Sequence, residues 1–99
     1  MLKDMRPSAY DLAKSGGDYA KFYERYKGEY LPRLQRAERS YRRVIAEHEG
    51  YIRDPMSKLK PGLSAEEIRR YVEKKWPEDI ARNTAYLEII TGIIAERTT

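Results

Sequence analysis

Ninety-nine residues fit one domain, and 40% hydrophobic content supports a single thin core while 36% charged residues keep much of any helix facing water. Cysteine is absent, which excludes disulfides, thiol catalysis and cysteine-based zinc sites. Lys and Arg outnumber Asp and Glu by 20 to 16, giving +4 and a pI near 9.3; at so mild an excess, where the arginines sit matters more than their sum.

The N-terminal stretch "MLKDMRPSAYDL" lacks the basic-then-apolar order of a secretory signal. No apolar run approaches the roughly 18 residues of a membrane span. The expectation is a chain without a membrane span or signal peptide, carried by another segment or machine if it leaves its cell.

Nothing reads as a strand: valine occurs twice, and the isoleucines fall at helical spacing. Residues 1–15 are expected to be loosely ordered, with one weak turn over 3–14. After the glycine pair of "SGGD", Asp18 is the expected N-cap of a short helix over 18–28. Its Tyr19, Phe22, Tyr23 and Tyr26 share one face. A long helix is expected over 31–53, opened by Pro32 and closed by Asp54-Pro55. At about 100° per residue, Leu34, Ala37, Tyr41, Val44, Ile45, His48 and Ile52 line one side, with Arg36, Arg39 and Arg43 roughly opposite.

The next element starts at "SAEE", where Ser64 and Glu67 form a capping box. An apolar seam then runs Ile68, Val72, Trp76, Ile80, Asn83, Leu87, Ile90 and Ile94, giving a long helix over 65–97 with a kink or restart at Trp76-Pro77. Tyr86, Ile89 and Ile93 make a second stripe, which calls for a second packing partner. The expected fold is all-α: an antiparallel hairpin of 31–53 against 65–97, with the short tyrosine-rich helix packed on it. Tyr41 is expected opposite Trp76, and Leu34 near Asn83, which is taken as a register-setting polar residue.

Three features could carry chemistry. His48 suits proton transfer near neutrality, yet its position puts it toward the core near Ile68 or Val72, so a catalytic and a structural imidazole both stay open. "PRLQRAERSYRR" holds five arginines and one glutamate in twelve residues, read either as a phosphate-contacting surface or as a solvated face. Tyr19, Tyr23, Tyr26 and Tyr30 are either base-stacking rings or core aromatics. No glycine loop for phosphate, nucleophile elbow or metal-ligand spacing is present, so no cofactor and no metal are expected.

The stretches "GGDYAKFYERY", "RAERSYRRVIAEHEGYIRDP" and "EKKWPEDIARNTAYLEIITGII" together resemble a short helical module at the C-termini of bacterial polymorphic toxins of the RHS-repeat and contact-dependent-inhibition types. The resemblance spans about 16–96 and rests on Arg39, Ser40, Ile45, Glu47, His48, Ile52, Pro55, Lys75, Trp76, Asp79 and Ile80. Tyr41 departs from the aliphatic residue usual there, and the 54–63 loop is shorter than usual. The resemblance implies interbacterial antagonism: a toxin effector or effector-associated domain acting in a recipient's cytoplasm and neutralised by an immunity protein. It implies no particular reaction.

For an enzyme the expectation is a metal-independent nuclease acting on RNA or DNA. His48 would be the acid–base group, Lys75 would hold phosphate with Arg36, Arg39 and Arg43, and Glu47 or Asp79 would orient. The alternatives are a non-catalytic interaction module, including a homodimer, and a small prophage-borne nucleic-acid-binding regulator or inhibitor.

Overall fold

The computed structural model describes residues 8–99. The fold is all-α: α1 (Ala9–Lys14), α2 (Ala20–Tyr26), α3 (Leu31–Arg53), α4 (Ala65–Arg70) and α5 (Trp76–Thr98), with a 3₁₀ turn at Pro55–Ser57 and a π turn at Tyr71–Lys75. The two 23-residue helices, α3 and α5, pack antiparallel, and α1 and α2 lie against α5.

Residues 1–7 of the region expected to be loosely ordered lie outside the described residues; residues 8–15 are ordered. Ser8 accepts from the Asp11 N–H at 3.1 Å, and the Asp11 carboxylate accepts from the Ser8 N–H, so a complete capping box starts α1. The glycine pair ends it. The Gly16 N–H bonds the Ala13 carbonyl and the Gly17 N–H bonds the Leu12 carbonyl, with Gly16 left-handed at φ 94°. That is a Schellman closure, in which glycine carries no Cβ penalty.

Asp18 does not cap α2. Tyr19 occupies the cap position at φ 63°, with no side-chain bond to the helix. A left-handed tyrosine costs about 1–2 kcal/mol, and the Tyr19 ring is fixed edge-on against Tyr86, centroids 5.4 Å apart. Tyr86 also stacks on Phe22 at 4.4 Å and meets Tyr41 at 5.5 Å, so one ring from α5 joins α2 to α3.

The bounds expected for 31–53 hold, with Pro32 in the first turn and Asp54 at the end. Pro77 has its expected effect. It has no N–H to give to the turn before it, and the backbone there widens, with the Trp76 N–H reaching the Tyr71 carbonyl five residues back. A fresh α-helix then begins at Trp76.

The register differs from expectation by ten positions. Tyr41 faces Tyr86 rather than Trp76, and Trp76 packs instead on Tyr51 at 5.5 Å and Tyr71 at 5.3 Å. Leu34 correspondingly shares the fully buried cluster with Ile89, Ile90 and Ile93, not with Asn83. Ten residues of helix are about 15 Å, and the slide lets α3 cover the most apolar part of α5. Asn83 sets no register: its amide donates to the Asp79 carbonyl one turn back, at 2.8 Å.

The second apolar stripe is covered within the chain. Ala13 of α1 and Tyr23 of α2 join the cluster over Ile89 and Ile93. Gly92 permits this approach, since a Cβ there would lie inside the Tyr10 ring. Among the described residues, the large apolar side chains that stay exposed, Leu12, Tyr19, Tyr30, Met56 and Tyr71, sit on five separate segments. The second stripe on α5 thus finds its packing partner within the chain.

Candidate functional site

Two polar arrangements bear on function, and they occupy different stretches of α3. The first lies between α3 and the start of α5. Asp79 is 6% exposed, the single buried charged residue among the described ones. Lys75, one turn back across the π turn, gives its ammonium to both carboxylate oxygens at 2.9 and 3.0 Å, and Arg82 donates at 2.7 Å. Burial alone raises the Asp79 carboxyl; the hydrogen bonds from Lys75 and Arg82 outweigh it and hold the group below the ordinary carboxylate range.

His48 completes this cluster from α3. Its Nδ1 lies 2.8 Å from the Val44 carbonyl, which can only accept, so Nδ1 carries a proton and donates. Nε2 is turned toward Asp79 Oδ2 at 3.5 Å, longer than a good hydrogen bond. The ring also packs against Tyr51, centroids 5.3 Å apart. His48 thus sits beside Asp79 and Tyr51, rather than Ile68 or Val72, because the hairpin register is shifted.

Of the four residues expected to act together, the fold brings His48, Lys75 and Asp79 into one cluster. Glu47 stands apart, exposed on the outer face and 3.7 Å from Arg43. Arg82 belongs to the cluster and was missed; its place three residues after Asp79 is the local signal. Lys75 spends its donors on Asp79, and an ionised Asp79 has no proton to give near neutrality. The chemistry this geometry supports is charge compensation of a buried carboxylate by Lys75 and Arg82 on its own segment, with His48 of α3 set beside it.

The second arrangement is a basic groove between α2 and α3, an open cavity of about 600 Å³. Arg33, Arg36, Arg39 and Arg43 line it from α3, joined by Arg25 from α2, with Tyr26, Ala37, Ser40 and Tyr41 also in its lining. Its single acid is Glu29, 3.8 Å from Arg33. Arg36 and Arg39 have no carboxylate within 4 Å among the described residues. Arg25 stands over the Tyr26 ring at 5.4 Å. Burial, reinforced by the neighbouring Tyr26 hydroxyl, pushes the Tyr41 phenol up to about 12, so it stays a neutral donor.

The groove does not reach His48. Five residues separate Arg43 from His48, about 140° around the helix, and Arg39 lies roughly 13 Å further along the axis. The expected joint action of His48 with the arginine row is not what the fold provides. Arg25 was missed, because nothing in a linear reading ties it to a helix that starts six residues later.

Among the described residues no group of His, Asp and Glu is arranged to hold a metal ion, and no helix is long and apolar enough to cross a membrane. Comparison with family models, with curated proteins and with solved structures finds no match to this chain.

Proposed function

We propose that this chain binds the phosphate backbone of nucleic acid through the α2–α3 groove, as an effector or effector-associated module of a bacterial polymorphic toxin. The observation that carries the binding is the convergence of five arginines on one concave surface whose single acid is Glu29. Guanidinium groups without carboxylate partners keep their donors for phosphate oxygens, and such contacts position a strand without reading its sequence. The toxin setting rests on the motif resemblance, which also supplies the proposed place of action, a bacterial cytoplasm, and the proposed partner, an immunity protein.

A second reading is cleavage of the bound strand without a metal, favoured by the juxtaposition of His48, Lys75 and Asp79. Its weakness is geometric: the groups pair with one another, and His48 is not in the lining of the groove.

Induction in a bacterial cytoplasm tests both readings. Binding predicts growth arrest, relieved by the triple variant Arg36→Glu/Arg39→Glu/Arg43→Glu. Fragmented RNA that becomes intact with His48→Ala would establish the enzymatic reading; arrest that survives His48→Ala removes His48 from the mechanism. Unimpaired growth, with no RNA or DNA retained by the purified chain, would eliminate the proposal.

A further inference from the structure

The lining of the groove is unlike a surface for duplex phosphates alone. Its lining carries two aromatic rings, Tyr26 and Tyr41, beside the guanidinium groups, and one of those, Arg25, stands over the Tyr26 ring 5.4 Å from its centroid. In the turn between α2 and α3, just outside the groove's lining, stands Tyr30. Its neighbours along the chain, Glu29 and Arg33 one turn on, both line the groove. Tyr30 is 75% exposed, the most exposed of the large hydrophobic residues among the described ones, and its side chain makes no cap bond to α3.

The other tyrosines considered for base stacking are accounted for by packing. Tyr23 is buried and bonded to Glu96, and Tyr19 is held edge-on to Tyr86. Tyr30 alone leaves most of its ring in water with no partner ring among the described aromatic contacts. An exposed ring in the turn leading into a groove that holds Arg25, Arg36 and Arg39, none with a carboxylate within 4 Å among the described residues, has the combination that single-strand binders use: cations along the backbone and an aromatic face for a splayed base. A duplex keeps its bases stacked inward, so it offers phosphates to the arginines and nothing to the ring.

Resting on the nucleic-acid reading above, we infer that the ligand of the groove is a single strand, with Tyr30 as the platform on which one base stacks. The purified full chain, titrated with a fluorescent 12-nucleotide RNA and with the same RNA annealed to its complement, tests this. The single strand should bind at least ten-fold more tightly. Tyr30→Ala should weaken single-strand binding about ten-fold, as loss of one stacked base does, and leave duplex binding unchanged. Tyr30→Trp should keep the preference. Arg36→Ala/Arg39→Ala should weaken both ligands alike. Equal affinity for the two forms, or a Tyr30→Ala protein that binds the single strand as tightly as the parent, would overturn the inference while leaving phosphate binding intact. Failure of both RNAs to bind would overturn phosphate binding as well.

Discussion

Asp79 shows how one buried charge can be held by partners that themselves remain half in water. Lys75 and Arg82 have side-chain exposures of 58% and 48%, against 8% for Asp79. Removing the carboxylate therefore returns two cations to solvent, whereas removing the cations strands an anion inside. Asp79→Asn should cost about 1 kcal/mol at neutral pH, the scale of one ordinary net hydrogen bond. Lys75→Ala/Arg82→Ala should cost about 3 kcal/mol, the scale of an uncompensated buried charge. The pH dependence follows from the lowered folded value. The parent's gain from Asp79 is complete above the unfolded carboxyl value of about 4 and disappears as pH falls through the folded one. The double variant's penalty should accordingly shrink at pH 3, where the carboxyl is protonated. Urea midpoints at pH 7 and pH 3 read both effects, and equal midpoints for the two variants at pH 7 would contradict this charge compensation. Glu96, lowered by hydrogen bonds from Lys14 and Tyr10, adds a loss of the same sign in the same acid range.

Helix ends carry the next level of organisation, and the two capping boxes serve elements of unlike weight. α1 places Ala13 in the core, while α4 buries no residue. Ser8→Ala should therefore lower global stability by about 1 kcal/mol, the usual worth of a cap. Ser64→Ala should leave the global midpoint nearly unchanged and speed hydrogen exchange over 65–70 alone. Indistinguishable global midpoints for the two variants would contradict this division. Both boxes are legible in the linear chain, but the second has Glu at its fourth position and the first Asp, and only "SAEE" was read. The glycine pair was read as the entrance to α2 when its hydrogen bonds make it the exit from α1. The bounds of α3 and the restart at Pro77 were readable, because proline acts through its own ring and missing N–H. The register was not: periodicity says which face of a helix is apolar, and nothing about how far one helix slides along another. The placement of His48 beside Asp79 and the recruitment of Arg25 to the groove both depend on packing between helices, so neither followed from spacing.

For the molecule as a whole, a formal charge of +4 understates the local field, because the lining of the groove holds five arginines and one acid, Glu29. Each phosphate neutralised on a single strand contributes about 0.7 to the slope of log affinity against log salt. Arg36→Ala/Arg39→Ala/Arg43→Ala should thus reduce the magnitude of that slope by about 2. Affinity measured from 50 to 300 mM salt checks the figure; a slope unchanged by the triple substitution would move binding elsewhere on the surface.

The lone indole and the tyrosine layer divide the molecule optically as well as structurally. Trp76 is sealed under Tyr51 and Tyr71 beside the His48–Asp79 cluster, ten positions along α5 from Tyr86, where the helices from the chain's first third converge. Indole fluorescence therefore reports on one end of the bundle and tyrosine absorbance mainly on the other. Whether the two ends melt as a single cooperative unit is written into the spectrum of the unlabelled protein.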